Sequence, residues 1–208
     1  TYFNSFLYEI KIMSSRRPTT QEHEAAEGLV LLRQEFNEFF YSKSASRGIV
    51  LGRDPDWRKY LSAFWPHVIY IDNKSFPCVE NAFHWYKWLC STRPDLANQR
   101  YLVGGVFDGF PQSAKSSTGK GAMKTMNARL DIPMWNLDRI RVMRRLLQAR
   151  FNQDAHFREI LLEAKQRKIR LLHFERGNNS FWGCKQKKDT GEIVGENMFG
   201  ELLMQLTL

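Results

Sequence analysis

Cysteine is scarce in this chain. Only Cys78, Cys90 and Cys184 occur among 208 residues, an odd number with no CxxC pair. That excludes a complete disulfide framework and the ligand spacing of a zinc site, and it predicts a reducing compartment. The expected location is therefore intracellular and cytoplasmic, with the nucleus left open. Long apolar runs are missing as well: none approaches the ~20 residues that a bilayer-crossing helix needs, so no membrane partner is expected. The stretch TYFNSFLYEIKI at positions 1–12 is apolar but has no basic n-region and no small-residue cleavage site, so it does not read as a signal peptide. Acidic charge is in short supply, with 22 Asp and Glu against 31 Lys and Arg, which leaves a formal net charge of +9. Such a surplus favours polyanionic partners: nucleic acid, nucleotides or an acidic membrane. It does not choose among them, and a basic solvated surface would give the same number.

Aromatic rings, by contrast, are abundant. Fifteen Phe, seven Tyr and six Trp exceed what core filling usually requires, and flat rings also serve as platforms for nucleobases. Residues 1–13 are expected to be an appended or upstream segment, with Met13 as a natural start. Residues 14–28 (SSRRPTTQEHEAAEG) hold almost no large apolar side chain and suit a mobile arm. The domain division expected is thus 1–28 as arm and 29–208 as one domain. Within it, 29–40 suits a short helix or strand and 48–51 a short strand. Residues 66–78 read as a hairpin turning at Asp72-Asn73-Lys74. Residues 79–90 (VENAFHWYKWLC) read as a helix ending before Pro94, and 95–104 as another. The stretch 108–133 reads mainly as loop with a helix near 122–128. A long helix is expected over 137–152, capped by Asn136 or Asp138, with Ile140, Met143, Leu147 and Phe151 as its apolar seam. A second follows from Asp154 to near Lys165, then a strand at 171–174, a Gly/Asn-rich loop, and a closing helix over about 196–206. The fold class expected is α+β, mainly helical, with a small sheet of short strands.

Three places carry chemistry. In the helix at 79–90, Glu80 and Lys87 are seven residues apart. A seven-residue step returns to within ~20° of the same face, with Phe83 and His84 between them. One face thus gathers a carboxylate, an imidazole and an amine; a solvated Glu/Lys stripe would give the same spacing. Residues 114–121 (AKSSTGKG) place Gly119 and Gly121 where backbone can approach a ligand and Lys115 and Lys120 where phosphate can be met. This is no Walker motif, because Ala114 stands where its first Gly is required. Residues 177–184 (GNNSFWGC) and 195–200 (GENMFG) offer Asn178, Asn179 and Asn197 to sugar hydroxyls and Trp182 to a ring, though turn chemistry and core packing use the same residues. Arg139, Arg141, Arg144, Arg145 and Arg150 give the long helix an arginine-rich face suited to a nucleic-acid backbone or simply to solvent.

Taken in order, Phe39-Phe40-Tyr41-Ser42, Leu61-Ser62-Ala63-Phe64, VENAFHWYKW at 79–88, Gly119-Lys120, Trp135, the FWG turn of Phe181-Trp182-Gly183 and GENMFGELLM at 195–204 resemble the NADAR (YbiA-like) family. The family pattern runs FYS, SNF, a helix like SEHYFQAQK, a Gly-basic loop, a Trp before the long helix, FWG or YWG, and a closing GxNxLGxLLM. The resemblance spans about residues 38–206. Ala63, Asn81, Asn179, Cys184 and Phe199 depart from the commoner residues of that pattern. It implies a YbiA-like single domain and hydrolysis of an N-glycosidic bond to ribose. The substrate expected is ADP-ribose on the amino group of guanine in nucleic acid or nucleotides. The alternatives are a phosphorylated ribosylamino-pyrimidine of riboflavin synthesis, or a binding module that catalyses nothing. The resemblance implies Glu80 as acid/base and Lys87 as Schiff-base nucleophile or electrostatic partner. Ser62, Phe64, His84, Lys115, Gly119, Lys120, Trp135, Asn179, Trp182, Gly183 and Asn197 would bind substrate. Neither metal nor cofactor is called for, the partners expected are an ADP-ribose-containing substrate and nucleic acid, and the chain is expected to be a monomer.

Overall fold

The computed structural model describes residues 51–53, 56–175, 181–187 and 189–208. All lie within the compact unit formed by residues 38–208. The expectations placed on residues 1–50, and those on Asn178 and Asn179, fall outside the described residues.

The element order is α1 (Trp57–Leu61), β1 (Ile69–Ile71), β2 (Lys74–Phe76), α2 (Val79–Leu89), a 3-10 turn (Pro94–Leu96), α3 (Ala97–Tyr101), α4 (Pro111–Ser116), α5 (Lys120–Thr125), α6 (Ile132–Gln153), α7 (Ala155–Gln166), β3 (Lys185–Gln186), β4 (Ile193–Val194) and α8 (Met198–Gln205). It is a mainly helical α+β arrangement with two small antiparallel ribbons. No described helix is long and apolar enough to cross a membrane.

The hairpin forms where the turn cluster predicts it. β1 and β2 pair Ile69 with Phe76, Tyr70 with Ser75 and Ile71 with Lys74. Asp72 and Asn73 both take left-handed backbone (φ 52° and 57°), the conformation that a two-residue turn between twisted strands demands and that Asp and Asn tolerate best. The Asp72 carboxylate then accepts from Arg145 of α6 and from the Tyr86 hydroxyl of α2, pinning the ribbon to both helices.

α2 is the central element. Every residue in it except Lys87 is buried, because α3, α4 and α6 surround it and β2 packs at its start. Trp88 is wholly buried and its indole N–H donates to Arg93 O at 2.7 Å, while the Trp85 indole donates to Asn98 Oδ1 at 2.9 Å. Much of the aromatic surplus is spent in this way on the core: Trp57, Phe76, Tyr101 and Phe157 are also fully buried.

α6 begins at Ile132, five residues earlier than expected, and its cap is Asp131, whose side chain accepts from Met134 N at 3.0 Å. Pro133 was read as ending a loop. It sits instead in the first helical turn, where its missing N–H would have had no partner anyway. The buried seam is Trp135, Val142, Met143, Leu146, Leu147 and Arg150, so the expected Ile140 and Phe151 are only half-buried. The stretch 108–133 is more ordered than a loop, since α4 and α5 both lie in it. Residues 171–174 form no full strand. Phe174 makes a single parallel bridge to Cys184, and the ribbon of β3 and β4 follows.

The arginine face of α6 is not free. Arg150 is 1% exposed: its guanidinium bonds Asp154 Oδ2 at 3.2 Å, Ser62 O at 2.8 Å and Tyr60 O, and lies over the Phe157 ring. Arg141 pairs with Asp138 and Arg145 with Asp72. Three of the five arginines are thus tied to carboxylates of the fold.

Candidate active site

α2 places Glu80, His84 and Lys87 on one side of the helix, along the wall of a cavity of about 470 Å³. The rest of the wall includes Ala63 and Phe64 after α1, Lys115 of α4, Thr118 and Gly119 between α4 and α5, Trp135 and Arg139 of α6, His173 and Glu175, and Trp182. The seven-residue step is therefore no solvated stripe: Glu80 is 6% exposed and His84 5%.

Glu80 and Lys87 do not pair directly. Glu80 Oε1 lies 3.0 Å from His84 Nε2, and His84 Nδ1 lies 2.9 Å from Thr118 Oγ1. Lys87 Nζ donates to that same hydroxyl at 3.3 Å. Thr118 Oγ1 is also 3.0 Å from Lys115 O, so the hydroxyl proton has two places to go. Burial pushes the His84 pKa down, more than the neighbouring carboxylate pulls it up, which favours the neutral ring. Burial likewise lowers the Lys87 pKa, with the Lys115 cation adding to the effect and Glu80 opposing it. An amine held this way releases its proton more readily than a surface lysine.

The aromatic walls differ in what they offer. Phe83 packs edge-on against Trp135 at 4.9 Å and against Trp182 at 5.4 Å between ring centres. Trp135 is only 6% exposed, whereas Trp182 is half-buried, and both line the cavity. Arg139 stacks on Phe181 at 3.7 Å, and its buried Nε has no hydrogen-bond partner. Lys115 lies 5.5 Å over the Phe64 ring. Among the described residues neither of these two cations of the cavity wall is paired with a carboxylate.

Of the residues expected from sequence, the structure brings Phe64, Glu80, His84, Lys87, Lys115, Gly119, Trp135 and Trp182 to this cavity. Four others lie elsewhere. Lys120 is exposed as the first residue of α5 and is not in the cavity wall. Ser62 accepts from Phe64 N at 3.2 Å and lines a smaller neighbouring cavity of about 210 Å³ beside Trp57 and Leu171. Gly183 is buried, and its carbonyl accepts from Asn197 N at 2.9 Å. Asn197 is 2% exposed: its amide donates to Leu171 O at 2.9 Å and accepts from His173 N at 2.8 Å. Both polar atoms of that side chain hold the 171–173 segment. The closing motif is explained by the same contact. A Cβ at Gly200 would strike Leu171 O, and one at Gly195 would sit 2.6 Å from Gly183 O.

Sequence reasoning passed over Thr118, His173 and Glu175. Thr118 lies inside AKSSTGKG, where the glycines and lysines drew attention and a lone hydroxyl carried no signal. Glu175 Oε1, 3.6 Å from His173 Nε2, adds a second carboxylate to the cavity wall. Among the described residues no cluster of His, Cys, Asp and Glu is arranged to hold a metal. Cys78, Cys90 and Cys184 are all buried and free, and burial raises their pKa to about 11, 12 and 11, which leaves them inert thiols.

Comparison with known proteins identifies the family and the fold. The NADAR domain model matches residues 39–207. The N-glycosidase YbiA of Escherichia coli K12 is 30% identical over 144 residues, covering 69% of this chain and 75% of the relative. An N-glycosidase of Nostoc punctiforme is 26% identical over 152 residues, covering 72% and 85%. The NMR structure of E. coli YbiA superposes with a TM-score of 0.52 at 24% identity, over 81% of this chain and 80% of that one, a likeness of fold. With the fold and the sequence match in agreement, this chain belongs to the NADAR domain family.

Proposed function

We propose that this protein is an N-glycosidase that removes ADP-ribose from the amino group of guanine in nucleic acid or nucleotides. The observation that carries the reading is the pairing, in one cavity, of the buried Glu80 carboxylate with an amine, Lys87, whose pKa burial lowers. The curated relatives named above are N-glycosidases, which supports the reaction class. The uncompensated Arg139 and Lys115 of the cavity wall favour a substrate carrying phosphates, and the half-buried Trp182 favours one carrying a flat base.

The chemistry follows from those positions. The glycosidic nitrogen lone pair expels the ribose ring oxygen, which takes a proton from the Glu80 carboxyl group, and C1 becomes an iminium carbon. The neutral Lys87 amine attacks C1. The nitrogen of the base then leaves as a free amine, taking the proton that Lys87 gives up on bonding. What remains is a Lys87 imine, and water adds to it, releasing the sugar aldehyde and restoring the amine. Glu80 shuttles the proton in both halves. A charged Lys87 would only neutralise phosphate, and its desolvated position argues for the nucleophile.

The test is direct. Purified protein is incubated with ADP-ribosylated guanine DNA and, separately, with the phosphorylated ribosylamino-pyrimidine. Release of ADP-ribose from the first and nothing from the second is the expected result; the reverse replaces the substrate and keeps the reaction. Glu80→Gln and Lys87→Ala should each cut kcat by roughly 10²–10⁴-fold in a folded protein. Wild-type rates in both variants overturn the assignment.

A further inference from the structure

The separation of Glu80 from Lys87 poses a problem of protons. The resting pair is most simply a carboxylate and an ammonium, yet the reaction needs a carboxylic acid and a free amine. The two groups make no direct contact, and His84 and Thr118 connect them. We propose that His84 and Thr118 are positioning residues that form a proton relay, converting the resting Glu80 carboxylate and Lys87 ammonium into the acid and amine together; the proposal rests on the hydrolase reading above.

Geometry and donor inventory carry it. In the resting arrangement Lys87 Nζ–H donates to Thr118 Oγ1, the Thr118 hydroxyl donates to His84 Nδ1, and His84 Nε2–H donates to Glu80 Oε1, over separations of 3.3, 2.9 and 3.0 Å. Shifting one proton along each step breaks an N–H bond at Lys87 and forms an O–H bond at Glu80. Thr118 gains one proton and passes one on, and His84 changes tautomer. Nothing is oxidised and no proton is lost to solvent. After the shift His84 Nδ1–H donates to Thr118 Oγ1, so the hydroxyl must turn its own proton elsewhere. Lys115 O, 3.0 Å away, accepts it. Each link of the wire thus keeps a hydrogen bond in both states, which lets it run in either direction. A neutral His84 is required, because an imidazolium would already hold both protons, and burial favours it. The other ionisable groups facing the cavity are Lys115 from α4, Arg139 from α6, and His173 and Glu175 from the following segment. None of them bridges the gap.

The experiment measures the rate at which borohydride traps a sugar on the protein in a single turnover, across a pH series, with folding checked by thermal melting. Thr118→Val and His84→Ala should slow trapping roughly 10²-fold with KM little changed. Thr118→Ser, which keeps the hydroxyl, should recover most of the loss. Added imidazoles should restore His84→Ala, their efficiency ordered by pKa. Wild-type trapping rates in both variants, or rescue ordered only by the size of the imidazole, overturn the relay while leaving the hydrolase standing. No adduct and no turnover with wild-type protein overturn the hydrolase reading itself, and the relay with it.

Discussion

Two places in this molecule bury charge, and they do so in opposite ways. At the junction of α6 and α7, Arg150 and Asp154 are spent on the fold. The guanidinium meets Asp154 and two backbone carbonyls, and Asp154 also caps α7 by accepting from Phe157 N at 3.0 Å. Along α2, Glu80, His84 and Lys87 form a thin line of single hydrogen bonds beside open space. Among the described residues one Glu80 oxygen and two Lys87 hydrogens have no hydrogen-bond partner. The contrast separates a saturated ion pair, which holds a fold together, from an unsaturated one, which has valence left to react.

Removing one partner from each region should expose that difference. Arg150→Met leaves Asp154 buried without its cation, and unfolding free energy should drop by about 3 kcal/mol or more. Lys87→Ala, which deletes a desolvated amine, should leave thermal stability near wild type while abolishing turnover. A denaturant titration of both variants checks the pair, and comparable destabilisation in the two would erase the distinction. A smaller effect is expected at Asn197. Asn197→Ala strips partners from Leu171 O and His173 N and should cost about 2 kcal/mol. Activity should fall only as the 171–175 segment loosens, seen as raised KM in the same kinetic assay.

The smallest effect is one of pH. The folded-state pKa of His84 lies below the ordinary 6.5, through burial, and so does that of His173. The unfolded chain therefore binds more protons than the folded one at pH values between the lowered pKa and 6.5. Stability is complete above that window and declines as pH falls through it. His84→Gln should flatten the decline in a melting-temperature series between pH 7 and pH 5; an unchanged slope would place the titrating group elsewhere.

How far the sequence reached can be followed along these two regions. The α2 face was legible because helical periodicity is a local property: Glu80, His84 and Lys87 align whatever surrounds them. The hairpin at Asp72-Asn73 was legible for the same reason. Arg150 was not, since five arginines on one helix look alike until packing decides which one points inward. The start of α6 was missed because Pro133 marks both a helix stop and a first helical turn. Asn197 was assigned to a ligand when its partners were backbone atoms some 26 residues away. Thr118 was invisible: it meets His84 across 34 residues of chain, and no local pattern records such a contact.

The central claim is a covalent one, and one measurement reaches it. Wild-type protein is mixed with its ribosylated substrate, quenched with sodium borohydride and digested, and the peptides are weighed by mass spectrometry. The account predicts a reduced sugar adduct on Lys87 and on no other lysine. Undiminished turnover with Lys87 unmodified, or an adduct carried by Lys115 instead, would contradict it.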